Sequence, residues 1–150
     1  MKTTLSQDID ALVLEAQQSP RLRAHLLLHK HSDPVLKLVM AMEPGSYIQP
    51  HRHPNYQELF VILRGKLTVV TFDESGSVDG KVTISSQGEA ITAEVALNQW
   101  HTMWPTDGGC VSLEVTKGPY DEKTFKEFAP WAPSEAELAH LEYSTYLLNL

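Results

Sequence analysis

Three side chains that can bind a metal ion lie close together in the stretch from Gly45 to Gly65. His51 and His53 are two residues apart, so on an extended strand their imidazoles point to the same face. The segment between His53 and Glu58, Pro-Asn-Tyr-Gln, is rich in turn formers and can reverse the chain. That reversal would bring the Glu58 carboxylate back beside the imidazoles of His51 and His53. Imidazoles and a carboxylate together form a mixed nitrogen and oxygen site, so the stretch predicts a site for a divalent metal ion.

The elements that position these side chains are predicted to be short β-strands. Runs of β-forming residues predict strands at 35–42, 59–63, 66–72, 81–85, 90–95, 100–104 and 110–116. Turn signals separate them at 33–34, 43–46, 73–76 and 79–80, at Gly65, and at 107–109, where a hairpin is expected. Short strands with a turn about every eight to twelve residues are typical of an all-β sandwich or barrel.

Both ends of the chain are predicted to be helical. Residues 5–18 carry apolar residues at helical spacing, with Ser6 as the expected cap and Pro20 as the end. A capping box from Ser134 to Glu137 is expected to open a second helix, which either covers a barrel edge or joins a dimer interface. We therefore expect one domain made of a helical segment (1–20), a β-barrel (21–120), and a wrap with a helix (121–150).

Residues 21–31 are predicted to be a further strand, with Arg21, Arg23 and His25 on one face. Such a basic face can bind an anion, or it can be a solvated edge that discourages pairing with another sheet. His29 and His31 repeat the His-x-His spacing, but no glutamate follows at the matching distance. A second metal site there is the weaker alternative.

Charge and composition narrow the kinds of partner. The 150 residues carry a formal net charge of −7, which argues against nucleic acid as a partner. The single cysteine, Cys110, cannot form an internal disulfide and fits a reducing compartment. The N-terminus lacks the apolar core of a signal peptide, and no apolar run is long enough to cross a membrane. We therefore expect a cytoplasmic protein with a small-molecule partner.

The spacing within the metal-binding stretch resembles the first motif of the cupin family. Gly45 is followed by five residues, His51-Arg52-His53, four residues, Glu58, six residues and Gly65. The resemblance implies an all-β, single-domain cupin fold, a double-stranded β-helix or jelly-roll barrel, with the terminal helices packed outside.

The second cupin motif contributes a fourth ligand, and the resemblance implies that His101 is this ligand. The Pro-x-Gly expected before it falls on residues 96–98, where Asn98 can take the positive φ of a glycine.

More of the chain, from about residue 5 to 137, resembles a narrower family, the WbuC-type cupin metalloproteins encoded in bacterial surface-polysaccharide gene clusters. Five stretches carry this resemblance: 19–25, 44–54, 100–102, 114–120 and 128–135. It implies a cupin barrel with bound metal and no assigned reaction.

Three imidazoles and one carboxylate would leave one or two coordination positions open on a five- or six-coordinate metal. Iron, manganese, zinc and nickel all suit these ligands. Glu114 is the candidate general base. The candidate substrate contacts are Arg21, Arg23, Tyr47, Gln57 and Trp104.

Three functions are consistent with such a site. The first is a metal-dependent enzyme that acts on a sugar, a sugar nucleotide or a keto acid by isomerisation, epimerisation or oxygenation. The second is a metal-dependent binding or sensing module without catalysis. The third is an interaction protein whose metal is structural. A homodimer is one option for the oligomeric state.

Overall fold

The computed structural model describes residues 1–150, which form one curled sheet and two helices. The elements are α1 (Ser6–Gln18), β1 (Arg23–Leu27), β2 (Val35–Met42), β3 (His51–Arg52), β4 (Glu58–Phe72), β5 (Val78–Ser85), β6 (Thr92–Val95), β7 (Trp100–Lys117), β8 (Glu127–Phe128) and α2 (His140–Leu148). Every strand pairing is antiparallel. The all-β barrel predicted from the turn spacing is confirmed.

Two long strands organise the sheet. β4 and β7 pair along nearly their whole length, from Glu58 opposite Thr116 to Phe72 opposite Trp100. β2 pairs with one end of β7 and β1 with β2, while the two-residue strand β3 lies between β7 and β8. β5 and β6 pair with opposite ends of β4. Residues far apart in the chain are thus brought side by side.

Two predicted turns lie inside continuous strands. The predictions of a turn at Gly65 and of a hairpin at 107–109 are wrong, because β4 and β7 remain paired on both sides of these positions. The register shifts twice near Gly65, which has φ 71°, and the backbone at 107 and 108 has φ 58° and 122°. The turn-forming residues therefore bend two strands together at a bulge instead of ending them.

Two further boundaries differ from the sequence prediction. The turn at Asp79-Gly80 is wrong, because Gly80 pairs with Thr71 and the Thr71 hydroxyl donates a hydrogen bond of 2.5 Å to Asp79 Oδ1 within β5. The strand predicted over 21–31 is only Arg23–Leu27. Leu22 has φ 53°, a left-handed conformation that separates the preceding turn from the strand.

The first residues of both helices differ from the sequence prediction. Ser6 is the first residue of α1 rather than its cap, and Asp8 Oδ2 accepts the Leu5 backbone N–H at 2.7 Å. The Ser134 backbone N–H donates to Glu137 Oε2 at 2.7 Å, as a capping box requires, but α2 starts only at His140. The motif closes a turn instead, since the Glu137 N–H donates to the Ser134 carbonyl.

The core has three apolar clusters. The largest lies inside the barrel and includes Met40, Phe60 and Met103, at 3% exposure or less. α1 buries Leu12 and Ala16 against strands β1 and β2. The third cluster lies beneath the C-terminal residues and α2, whose buried member is Leu147. Neither helix has the length and apolar character needed to span a membrane.

Candidate metal centre

Four potential ligands meet where β3, β4 and β7 come together. His51 on β3 lies directly opposite His101 on β7, and their ring centroids are 4.4 Å apart. His53 follows β3, and Glu58 is the first residue of β4, after the predicted chain reversal. One ligand atom from each of the four lies within 4.8 Å of those from the others, and all four side chains are buried. The group can therefore hold a metal ion.

Backbone carbonyls orient all three imidazoles. His51 Nδ1 lies 2.9 Å from the Gln49 carbonyl oxygen, and His101 Nδ1 lies 2.9 Å from that of Gln99. His53 Nδ1 lies 2.6 Å from the Phe125 carbonyl oxygen. Carbonyl oxygens only accept, so each Nδ1 carries a proton and donates it. In a neutral imidazole the lone pair is then on Nε2, the tautomer that suits a metal ligand.

The atoms that face each other in this group suit a cation, because neutral imidazoles protonated on Nδ1 have no Nε2 proton to donate to the Glu58 carboxylate. Glu58 Oε2 lies 3.2 Å from His101 Nε2 and 3.3 Å from His53 Nε2. The shorter contact has hydrogen-bond geometry, whereas His53 Nε2 is buried without a hydrogen-bond partner. With every Nδ1 protonated, neutral imidazoles would place lone pairs against the carboxylate. A divalent cation among these atoms would remove that repulsion.

Burial and neighbouring charges favour the ligand forms of two of these groups. Burial lowers the pKa of His51 well below its ordinary value, and the positive charge of Lys126 lowers it further, so the imidazole is neutral. Burial alone would raise the pKa of Glu58, but the neighbouring side chains of His101 and His53 hold it well below the ordinary value. Glu58 is therefore ionised.

The candidate metal centre faces a cavity of about 500 Å³. This volume lies in the range of small-molecule sites. His51, His53 and Glu58 line it on one side. Its other walls combine apolar side chains with aromatic and ionisable ones: Arg21, Arg23, His25, Leu27, His29, His31, Leu36, Leu38, Met40, Ile48, Met103, Glu114, Thr116, Tyr120, Phe125, Lys126, Phe128 and Glu135.

Two ionisable groups of the cavity have no direct ion-pair partner. Glu114 is 9% exposed, and its Oε1 has no hydrogen-bond partner. Burial, together with the negative charge of Glu58, raises the pKa of Glu114 to about 8, so this carboxyl is largely protonated at neutral pH. Lys126 makes no ion pair in the structure, and burial lowers its pKa.

The structure divides the predicted substrate contacts into two groups. Arg21, Arg23 and the candidate base Glu114 line the cavity, whereas Tyr47, Gln57 and Trp104 do not. The Tyr47 hydroxyl donates to the Pro133 carbonyl oxygen at 2.7 Å, and Trp104 packs in the cluster beneath α2. Gln57 is exposed in the turn before β4. These three residues therefore lie outside the site.

The C-terminal residues provide part of the cavity that sequence reasoning missed. Phe125 contributes both the carbonyl that orients His53 and a ring 4.7 Å from the His53 ring. Phe128 lies edge-on to His51, with ring centroids 6.3 Å apart. Lys126 lies between them in the chain. The aromatic composition of this segment was a signal of packing but not of the surface that it would cover.

The second histidine pair is not part of a metal-binding group. His29 and His31 have ring centroids 6.1 Å apart, and His29 Nδ1 lies against the backbone of Lys37. His31 packs on Tyr120 at the wall of the cavity. The group of side chains that could hold a metal ion is the one formed by His51, His53, Glu58 and His101, and it does not include this pair.

Solved structures with similar folds identify the architecture. Oxalate oxidase in complex with glycolate matches 88% of this chain and 68% of its own at 14% identity and a TM-score of 0.57. The capsular polysaccharide assembling protein CapF from Staphylococcus aureus matches 69% of this chain at 17% identity and a TM-score of 0.56. A cupin superfamily protein from Desulfitobacterium hafniense matches 63% of this chain and 76% of its own at 17% identity and a TM-score of 0.50. The chain spans 31% of CapF.

The fold is that of a single-domain cupin barrel, and it carries a buried group of four side chains that could hold a metal ion. The chain belongs to the family described as a domain of unknown function (DUF6016), whose model matches residues 5–84. This matched region contains His51, His53 and Glu58 and ends before His101. A comparison with the sequences of curated proteins finds no match.

Proposed function

We propose that this protein is a metal-dependent enzyme that acts on a small polar molecule at a divalent metal held by His51, His53, Glu58 and His101. The observation that carries the proposal is that three of these donors, His51, His53 and Glu58, line a cavity of about 500 Å³, with His101 grouped beside them. A purely structural metal needs no such access, whereas a catalytic metal needs room for a substrate. When bound, the metal would supply Lewis-acid chemistry or activate water or O₂.

The chain's own residues suit proton transfer beside this metal. Glu114 presents an unpartnered carboxyl to the cavity, and its raised pKa lets it hold a proton at neutral pH. The ammonium of Lys126 can attract an anionic substrate or stabilise negative charge that develops on it. Apolar residues such as Met40 and Met103 exclude water from the inner wall.

The proposed substrate is a sugar, a sugar nucleotide or a keto acid, and the proposed reaction is an isomerisation, an epimerisation or an oxygenation. All of these substrates carry oxygen atoms that can approach a divalent metal. The WbuC-type resemblance and the similarity of the fold to CapF support a link to surface-polysaccharide metabolism.

The first test measures metal content and turnover. Protein purified without added metal should contain about one divalent ion per chain by elemental analysis. Changing both His51 and His53 to Ala should remove it while the far-ultraviolet circular dichroism spectrum stays that of a folded barrel. The matched control is the double change of His29 and His31 to Ala, which removes a second His-x-His pair and should leave the metal content unchanged.

Turnover separates the enzyme from a sensor. Metal-loaded protein should convert at least one member of a panel of sugars, sugar nucleotides and keto acids, and the His51 and His53 double variant should not. Tight binding to a panel member without product would instead assign a binding or sensing module. Full metal occupancy in the double variant would refute the site.

A further inference from the structure

Two arginines at one wall of the cavity hold a carboxylate that belongs to the chain itself. Arg21 Nε donates to Glu135 Oε2 at 2.9 Å, and Arg21 Nη2 donates to Glu135 Oε1 at 3.2 Å. Arg23 Nη2 donates to the same Oε1 at 2.6 Å. Both oxygens of the carboxylate are thus bound, one of them by two guanidinium groups. This is the bidentate geometry by which arginine recognises carboxylates.

Arg23 is fixed in place independently of Glu135. Its Nη1 donates to the Tyr47 carbonyl oxygen at 2.8 Å, and its side chain is 4% exposed. The guanidinium is therefore oriented in advance and almost removed from solvent. A buried cation without a counter-ion is costly, so an anion is needed at this position. When Glu135 leaves, another anion would restore the pairing of Arg23.

Glu135 is the less constrained partner. It lies in the turn before α2, outside any helix or strand, and its side chain is 32% exposed. Its carboxylate is held by the two arginines alone. A tethered carboxylate of this kind competes with a free one at an effective concentration of about millimolar, which a ligand with a second point of attachment can overcome.

The charge of the cavity favours an anionic ligand. Arg21, Arg23 and Lys126 all line it, although the chain as a whole carries a formal charge of −7. A divalent metal held by one carboxylate would add further positive charge to the cavity. Opposing the three cations are Glu58, the largely protonated Glu114, and Glu135, which is itself displaceable.

We propose that Arg21 and Arg23 form a carboxylate-binding subsite of the cavity, and that Glu135 occupies this subsite until the carboxylate of a ligand replaces it. The inference deepens the proposed function, because it rests on the same cavity and narrows its substrate to molecules that bear a carboxylate, with their other polar groups directed to the metal. Among the proposed substrates, it favours keto acids and acidic sugars.

The test measures the binding of glutarate, succinate and inorganic phosphate by calorimetry, in metal-free and metal-loaded protein. Glu135→Gln removes the competing charge and keeps the side-chain volume, so it should bind glutarate about tenfold more tightly than the unchanged protein. Adding Arg21→Gln, at an exposed position, should abolish this gain. Arg21→Gln also keeps Arg23 intact, so the fold is retained.

The matched control is Glu127→Gln. Glu127 also lies in the C-terminal segment and also pairs with an arginine, Arg52, at 2.8 Å, but neither residue lines the cavity. This variant should bind glutarate as the unchanged protein does. If the Glu135 variant behaves like the Glu127 variant, the Glu135 ion pairs are structural and the proposal is wrong. Tighter binding of phosphate than of either dicarboxylate would overturn the assignment to carboxylates.

The two proposals fail separately. Titration of metal-free protein tests the arginines without the metal centre, whereas metal content tests the metal centre without the arginines. A chain that holds no metal but gains glutarate affinity in Glu135→Gln would refute the proposed function and support the carboxylate subsite. A metal-loaded, active protein without that gain would refute the subsite alone.

Discussion

Glu114 shows how a single buried carboxyl depends on its surroundings. It lies on β7 opposite Leu38 and Phe60, between two strands that offer it no hydrogen-bond donor, so one oxygen is left without a partner. Ionising it would place a second negative charge in the same buried site as Glu58. The carboxyl therefore keeps its proton to a higher pH than an exposed glutamate does.

This raised pKa predicts a stability that falls as pH rises. Below the ordinary pKa of 4.5 both the folded and the unfolded chain hold the proton on Glu114. Between that value and about 8 the unfolded chain loses the proton but the folded chain retains it, so the free energy of unfolding decreases by up to about 1.4 kcal/mol per pH unit from this group. Glu114→Gln should remove this decrease.

Urea unfolding of metal-free protein at pH 5, 6.5 and 8 measures the effect. The variant should gain stability relative to the unchanged protein at each step upward in pH. Bound metal should weaken the trend, because its positive charge favours the ionised carboxyl. Glu94→Gln, an exposed change on β6, serves as the control and should follow the unchanged protein. Parallel pH curves for Glu114→Gln and the unchanged protein would contradict the assignment.

At the scale of elements, the fold depends on the bulge where β4 and β7 bend together. Gly65 has φ 71°, and a Cβ added there would collide with the Gly109 carbonyl oxygen and lie 3.1 Å from Cys110 Cα. Neither contact can be relieved by a rotamer change, since both involve backbone atoms. Close approach of two backbones, rather than a chain reversal, therefore explains the glycine.

Gly65→Ala should consequently destabilise the barrel by about 2 kcal/mol or more, from backbone strain and steric overlap together. Gly108→Ala is the matched comparison in the facing strand. Gly108 also has a positive φ, at 122°, but a Cβ there meets nothing within 4 Å, so only the strain of about 1 kcal/mol remains. Chemical denaturation measures both values. Equal losses would show that the packing of the bulge does not matter.

The same bulge shows what sequence patterns could and could not predict. The strand at 35–42 and the reversal before Glu58 follow from local residue types, and the structure has both. Asn98 takes φ 62°, the positive value expected at its position. The turns predicted at Gly65 and 107–109 are absent, because glycine permits a bend inside a strand as readily as a hairpin. Only the pairing of β4 with β7 decides between the two.

At the scale of the whole molecule, the site is completed by residues distant in sequence. The spacing of His51, His53 and Glu58 is local and was sufficient to predict three donors, and the resemblance supplied His101. Lys126 and Glu135 could not be predicted, because no local pattern indicates that the C-terminal segment lines the cavity. That segment pairs through β8 with β3, the strand that carries His51.

This arrangement predicts how the molecule responds to loss of metal. The apolar clusters within the barrel, beneath α1 and beneath α2 do not include the metal donors, so they should hold the fold without an ion. Metal at about 100 times its dissociation constant would add about 2.7 kcal/mol to the free energy of unfolding. For a chain of this size that corresponds to roughly 5–10 °C in Tm.

Chelation should therefore lower Tm by about this amount and leave the far-ultraviolet circular dichroism spectrum nearly unchanged at 25 °C. Restoring the metal should restore Tm, and the double His51 and His53 variant should show no response to chelator or metal. Cooperative unfolding on chelation would mean that the barrel requires the ion to fold, as small metal-stapled domains do. The metal would then be structural, and any ligand in the cavity would have to bind without contacting the metal.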